Sequence, residues 1–339
     1  MATRIAINGF GRVGRCAVRS ALESRADVEW VGINDVADVA TLAHLLRHDT
    51  VYGPFAGEVA VRGDVLVVDG TEIPVSAKLD PIDLPWDALQ ADVVLECTGK
   101  FRARADAAKH LVAGARKVVL SAPGKEVDVT IVRGVNDDAY DPERHDVISN
   151  ASCTTNCLAP VAKVLSETFG IRHGTMTTIH AVTGDQRVVD LPHKDLRRAR
   201  AAGANIVPTS TGAAKAIGLV LPELAGKLHG FAARVPVLTG SLVDLTVELE
   251  RETTADEIIA ALEHAKDNGL AGILDVSHEP LVSSDVIKSP YSSIVDAELT
   301  TVTGGTQAKV VAWYDNEWGY ATRLVELAQR VHVPVPVLA

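Results

Sequence analysis

The chain has 339 residues, 47% of them hydrophobic, a formal net charge of −11 and four cysteines. That length supports a sizeable core in one or two domains. The acidic balance argues against nucleic acid and anionic membranes as partners, no run is long or apolar enough to span a bilayer, and four cysteines make no disulfide framework. A reduced, cytoplasmic protein is expected. "MATRIAINGF" enters a strand pattern at once, so no signal peptide is expected either.

In chain order, "RIAINGF" reads as a strand and is followed by a helix from about Arg12 to Glu23. "VEWVGIND" is a second strand and "VATLAHLL" has helical spacing. "ADVVLECTG", "RADAAKHLVAGA" and "KVVLSAP" form a strand–helix–strand unit. Near-continuous apolar strands separated by helices predict a parallel sheet covered on both faces. After Cys153 the pattern changes. "LAPVAKVLSETFG" is an apolar-faced helix closed by Gly170, and "MTTIHAVTG", "FAARVPVL" and "SLVDLTVELE" read as strands. "VTGGTQ" is a hairpin turn leading into "AKVVAWYDN", and "WGYATRLVELAQRV" is helical. The expected fold is α/β: a Rossmann-like parallel-sheet domain over 1–152, then an α+β domain with a mainly antiparallel sheet over 153–316. The C-terminal helix, 317–339, is expected to pack back on the first domain.

"INGFGRVG" sets Gly9, Gly11 and Gly14 in GxGxxG spacing between the first strand and the first helix. In that context the glycines permit a tight turn and let the backbone approach a pyrophosphate at the helix N-terminus. Asp35 lies 21 residues beyond Gly14, at the end of the second strand, where a carboxylate accepts from both ribose hydroxyls. A 2′-phosphate is repelled there, so NAD is favoured over NADP. The competing reading is a turn that serves only helix–strand packing.

"SNASCTTNCLAP" carries Cys153 and Cys157 four residues apart. No further ligands at metal spacing accompany them, so no metal site is expected, and a redox pair is an open but weaker alternative because its usual spacing is CxxC. Two small buried thiols are the plain alternative. Ser152 is a natural N-cap, which places Cys153 in the first turn of a helix. There the dipole and open N–H groups stabilise a thiolate, and the same N–H groups stabilise an oxyanion formed by its attack on a carbonyl. Cys157, one turn further in, reads as a bystander. A nucleophilic Cys153 needs a base, and His180 is one candidate among eleven histidines that spacing alone does not separate.

"AINGFGRVGR", "SNASCTTNCLAP", "TTIHAVTGDQR", "DLPHKDLRRARAAGANIVPTSTGAAKA" and "WYDNEWGY" resemble, in order and over essentially the whole chain, the phosphorylating glyceraldehyde-3-phosphate dehydrogenases of bacteria. The resemblance implies oxidation of glyceraldehyde 3-phosphate through a thiohemiacetal and a thioester on Cys153, with His180 as base. Inorganic phosphate then releases 1,3-bisphosphoglycerate. It implies a substrate-phosphate site at Thr183, Asp185, Arg198 and Arg234, choosing Arg198 over Arg197 and Arg200. It implies an inorganic-phosphate site at Ser152, Thr154, Thr211 and Gly212. To the glycine turn and Asp35 it adds, for NAD, Asn8, Phe10, Arg12, Val13, Thr98, Gly99, Ser121, Asn316 and Tyr320, together with Leu191 and Pro192, the pair of the NAD-using members. The Pro192 segment approaches a neighbouring subunit in that family, which implies a homotetramer.

The chain departs from the family pattern in places. Leu79 stands where many relatives carry an arginine, which lowers the expected NAD affinity. Val182 replaces a frequent aromatic. "RVPVLTGSLVDL" differs from the commoner pattern in a stretch expected to touch subunit contacts rather than chemistry. The rival readings are an erythrose-4-phosphate dehydrogenase, disfavoured by the intact "STGAAKA", and a catalytically idle binding protein on the same fold.

Overall fold

The protein is described by a computed structural model over residues 2–332. The described residues form two compact units, one of 2–131, 137–151 and 321–332, the other of 132–136 and 152–320. Of the helix expected over 317–339, residues 333–339 lie outside the described residues. Among the described residues no helix is long and apolar enough to cross a membrane.

The first unit holds strands β1 (Thr3–Asn8), β2 (Val28–Asn34), β3 (Val59–Arg62), β4 (Val65–Val68), β5 (Thr71–Ser76), β6 (Val93–Glu96), β7 (Lys117–Leu120), β8 (Val129–Thr130) and β9 (Val147–Ser149). They make one sheet in the order β3-β4-β5-β2-β1-β6-β7-β9-β8. From β5 to β8 every neighbouring pair is parallel. The far edge, β3–β4–β5, is antiparallel and was not anticipated. Its turn signal is nevertheless written in the chain: Asp69 and Gly70, the two residues between β4 and β5, have φ of 47° and 79°, as the tightest hairpin turns require.

Alternate residues of β1 face opposite ways. Ile5 and Ile7 join the core under α1 (Arg12–Ser24), which also includes Ala321, Leu324 and Ala328 of the last helix; Ala6 joins Trp86 and Val94 on the other face. Both faces are covered, which is why the parallel strands lack polar alternation. α2 (Val39–Arg47) is capped by Asp38, whose carboxylate accepts from the Thr41 N–H. The single helix expected over "RADAAKHLVAGA" is broken at Ala108 into two short turns, α3 (Arg104–Ala107) and α4 (Lys109–Val112).

The second unit opens with α5 (Cys153–Phe169), ended by Gly170 at φ 71°. Its strands are β10 (Ile171–His180), β11 (Val207–Ser210), β12 (Leu228–Arg234), β13 (Ser241–Leu249), β14 (Leu274–Ser277), β15 (Ser293–Thr303) and β16 (Gln307–Tyr314), in the order β11-β12-β10-β13-β16-β15-β14. The sheet is mainly antiparallel, with β10–β12 and β14–β15 as parallel pairs. β13 alternates buried and half-buried residues along its length, one face toward the helices. Gly304 and Gly305, both at positive φ, turn β15 into β16 as "VTGGTQ" suggests. α6 (Ala213–Val220) follows β11, α7 (Ala255–Asp267) carries a Thr254–Glu257 capping box, and α8 is Trp318–His332.

Candidate active site

The dinucleotide cleft lies at the carboxyl ends of β1, β2 and β6, lined by Asn8, Gly9, Gly11, Asp35, Leu79, Cys97, Thr98 and Phe101 among others. Gly9 has φ +95°, and a Cβ there would sit 2.7 Å from the Thr98 nitrogen. A Cβ on Gly14 would sit 2.5 Å from the Gly9 carbonyl oxygen, so Gly14 is the glycine that lets the helix close on the strand. Gly11 has nothing within 4 Å of its would-be Cβ, which leaves its outer side open to a ligand. As N-cap of α1, Gly11 has no side chain to occupy the helix N-terminus.

Asp35 uses its two carboxylate oxygens to accept from Phe10 N–H at 2.7 Å and Ala37 N–H at 3.0 Å. Each oxygen keeps acceptor capacity for a ribose hydroxyl. The glycine cradle, the open helix terminus and this carboxylate fit NAD.

The other predicted cofactor residues fall into place unevenly. Thr98 lines the cleft, with its N–H and hydroxyl both held by Glu96. Gly99 follows at φ +68°. Ser121, one residue past β7, hydrogen-bonds Cys97, whose thiol burial pushes up to about 12. Phe10 is fully buried in the core and Val13 packs against it. Arg12 turns its guanidinium onto Asp49 and over the Tyr52 ring, so it offers the cleft its backbone rather than its charge. Leu79 is 79% exposed on the wall of the cleft.

The remaining predicted cofactor residues, Leu191, Pro192, Asn316 and Tyr320, lie in the second unit. Asn316 accepts from Ser241 Oγ at 2.7 Å and Thr239 Oγ1 at 3.3 Å, which fixes its Oδ1 and leaves Nδ2 as its donor side. Tyr320 is buried near the start of α8, and Pro192 is exposed on a loop where its carbonyl accepts from Arg187 Nε. The Asn316 contacts revise one expectation. The "RVPVLTGSLVDL" stretch supplies Thr239 and Ser241, and Ser241 Oγ also accepts the Ala181 N–H at 3.0 Å. This departure from the family pattern therefore borders the chemistry, beside the residue that follows His180.

Ser152 is the N-cap of α5; its Oγ accepts from Thr155 N–H at 3.1 Å, and Cys153 is the first helical residue. Cys153 Sγ lies 3.4 Å from His180 Nε2, at the end of β10. Among the four cysteines the structure pairs this one with a base. Cys157 is fully buried, with Ser293 Oγ and Ala312 O each 3.7 Å from its sulfur, and burial pushes its thiol far up.

Burial is also the largest influence on Cys153 and pushes its thiol up, against the pull of Arg234 and the Thr154 N–H. The helix terminus was expected to stabilise a thiolate with a base beside it; in this enclosed setting burial opposes the first effect, while His180 stands where the base is needed. Burial, and then Arg234, push His180 down to about 3, so its ring is neutral at ordinary pH.

His180 Nδ1 is 2.8 Å from the Ala181 carbonyl and 2.6 Å from Arg234 Nη1. Arg234 Nη1 also donates to that carbonyl at 3.0 Å, and the buried Arg234 Nε has no hydrogen-bond partner, as a group awaiting an anion would. Arg198 donates through Nε to Thr209 Oγ1 at 2.9 Å, through Nη2 to Ser210 O at 3.4 Å, and pairs with Asp185. Burial is the largest single influence on Asp185 and raises its carboxyl, but the Thr183 hydroxyl that donates to it, Arg198 and Arg234 together hold it below the usual range. Thr183, Asp185, Arg198 and Arg234 thus form one charged group. Arg200 is instead turned out to Asp190.

The second predicted anion group is less assembled. Thr211 Oγ1 accepts from Ala213 N–H and Gly212 is an open N-cap of α6. Ser152 Oγ is engaged in its cap, and Thr154 Oγ1 is 2.9 Å from Tyr314 Oη. Tyr314 was not singled out in the sequence. Its buried hydroxyl joins Thr154 and Thr178, and its ring meets the His180 ring edge-on at 6.0 Å. Only its place inside "WYDNEWGY" pointed to it.

A Rossmann-type half with a glycine cradle, and a mixed-sheet half with a thiol paired to an imidazole among arginines, define a two-domain dehydrogenase of the dinucleotide-dependent class. Residues 3–104 match the family profile for the NAD binding domain of glyceraldehyde 3-phosphate dehydrogenase, and residues 152–316 match that for its C-terminal domain. The chain is 58% identical over 328 residues to glyceraldehyde-3-phosphate dehydrogenase of Geobacillus stearothermophilus, covering 97% of this chain and 98% of the relative. It is 58% identical to glyceraldehyde-3-phosphate dehydrogenase 1 of Bacillus subtilis, with the same coverage. It is 55% identical over 327 residues to glyceraldehyde-3-phosphate dehydrogenase 2 of Streptomyces avermitilis, covering 96% and 98%. The chain belongs to the glyceraldehyde-3-phosphate dehydrogenase family.

Proposed function

We propose that this chain is a phosphorylating, NAD-dependent glyceraldehyde-3-phosphate dehydrogenase of glycolysis. The observation that carries the reading is the 3.4 Å approach of Cys153 Sγ to His180 Nε2 with Arg234 against the same ring. Arg198, Arg234 and Thr183 hold the substrate phosphate and set the aldehyde carbon against Cys153. Sulfur attacks, the thiol proton leaves for His180, and the carbonyl π pair moves to oxygen, where N–H groups of the first turn of α5 receive the charge. A phosphate that draws Arg234 off His180 Nδ1 lets that nitrogen donate to Ala181 O, which turns the Nε2 lone pair toward the reacting centre. Substrate binding and base competence are thereby linked.

Gly9, Gly11, Asp35 and Thr98 would hold NAD, which would supply the hydride acceptor for oxidation of the thiohemiacetal to a thioester, and the Nδ2 of Asn316 would be free to donate to a carboxamide. Inorganic phosphate at Thr211 and Gly212 then attacks the thioester carbon, the C–S bond breaks, and sulfur leaves as the thiolate of Cys153. Exposed apolar side chains near the Pro192 loop, such as Val188 and Leu196, support a homotetramer, and the cytoplasm is the proposed compartment. The test is NADH formation from glyceraldehyde 3-phosphate and NAD with and without phosphate. Sustained turnover only with phosphate is expected, and absence of NADH in both conditions would remove the reading.

A further inference from the structure

Three adjacent parallel strands end on buried polar residues. β2 ends on Asn34, β1 on Asn8 and β6 on Glu96, and the sheet register pairs Asn8 with both of the others. Their side chains are joined in a row beneath the dinucleotide cleft. Asn34 Nδ2 donates to Asn8 Oδ1 at 2.7 Å, and Asn8 Nδ2 donates to Glu96 Oε2 at 2.6 Å. Glu96 Oε2 lies 3.1 Å from His110 Nε2, and Trp86 Nε1 donates to His110 Nδ1 at 2.9 Å. An indole N–H can only donate, so His110 Nδ1 is an acceptor and its proton is on Nε2, facing Glu96. His110 and Trp86 are both fully buried and Glu96 is 2% exposed.

Both walls of the cleft hang on this row. Asn34 Oδ1 accepts from Lys78 N–H at 2.8 Å and its Nδ2 donates to Lys78 O at 3.0 Å, which fixes the segment carrying Leu79. On the other wall, Glu96 Oε1 accepts from the N–H and the hydroxyl of Thr98. A buried carboxylate with four donors is costly to disturb, and nothing in the reaction uses it.

We infer that Glu96 and His110 are positioning residues for the cofactor: His110, oriented by Trp86, holds the Glu96 carboxylate, and Glu96 sets where Thr98 stands in the cleft. The inference rests on the NAD-dependent reading. Glu96 orders both polar groups of Thr98, so its loss frees one wall of the cleft while Cys153 and His180 keep their own partners. The effect falls on NAD affinity and leaves the chemical step intact.

The test is a titration of NAD against the full chain, with kcat and the NAD KM measured alongside. Glu96→Gln replaces one acceptor oxygen by a donor. It should raise the NAD Kd about tenfold, the equivalent of one lost hydrogen bond, with kcat within about threefold. His110→Phe should do the same, and His110→Gln, which keeps a donor for Glu96, should restore most of the affinity. Trp86→Phe should weaken NAD by only about threefold, since it frees His110 without removing it. If Glu96→Gln does not fold, the order of the two His110 variants decides.

An NAD Kd unchanged in the His110 variants, or equal losses in His110→Phe and His110→Gln, would overturn the inference, as would a fall in kcat with NAD affinity unchanged. Failure of the unmutated protein to bind NAD would instead overturn the functional reading on which it stands.

Discussion

Gly11→Ala separates a ligand-binding glycine from a structural one. Gly11 sits at φ −73°, ordinary extended backbone that alanine adopts, and an added Cβ meets no protein atom within 4 Å. The free protein should tolerate the change and gain about 0.4–1 kcal/mol, because alanine restricts the unfolded chain. The pyrophosphate has to approach that same open side to reach the helix N-terminus, where intrahelical bonding begins only with Arg15 N–H to Gly11 O. A methyl group there holds it off by roughly 1 Å and weakens two charge-assisted hydrogen bonds at about 1.5 kcal/mol each. The predicted loss is about 3 kcal/mol of NAD binding, or roughly a hundredfold in Kd. Thermal unfolding of the free protein and calorimetric titration with NAD give the two numbers. Gly14→Ala is the contrast, since its Cβ would lie 2.5 Å from Gly9 O and should cost stability itself, about 1–3 kcal/mol. An unchanged NAD Kd in Gly11→Ala would refute the placement of the pyrophosphate against this turn.

Other outcomes follow from the thiol site. Cys153→Ser should abolish nearly all turnover and leave NAD binding intact, whereas Cys157→Ala should cost stability alone, by about 1 kcal/mol for a small buried cavity; equal activity losses in the two variants would undo the assignment of roles. His180→Asn should lower kcat by about 10²–10⁴-fold. It should also move the pH midpoint for alkylation of Cys153 upward, because burial already pushes the thiol up and the variant removes the neighbouring proton acceptor; an unmoved midpoint would show that the imidazole does not activate the thiol. Tyr314→Phe leaves the buried hydroxyls of Thr154 and Thr178 without their shared partner, so unfolding should be easier by about 2–4 kcal/mol.

The parts of the fold that were legible are those with a strong local period or a strong punctuation mark. β1, α1 and β2 follow from apolar runs broken by the glycine turn, and β13 from its period of two. The β3–β5 edge is marked by Asp69–Gly70 and by the apolar run of β4, but its strands are short, and β3 and β5 are only partly buried, so neither carries a clear period. α7 was passed over despite Thr254 and Glu257 three residues apart. Cys153 was legible from Ser152 and the following helix. His180, Arg198 and Arg234 were not legible from spacing, because residues 27 and more positions apart are brought together by the sheet and not by any local pattern. The Glu96–His110 row lay deeper still: a glutamate at the end of an apolar strand and a histidine in a broken helix mean little until register sets them side by side.

The most direct test of the account is the intact mass of the protein quenched after mixing with glyceraldehyde 3-phosphate and NAD in the absence of phosphate. The account predicts one acyl group per chain, mapped to Cys153, formed with a stoichiometric burst of NADH and discharged when phosphate is added. NADH formed with no acyl adduct, or an adduct mapped to Cys157, would contradict it.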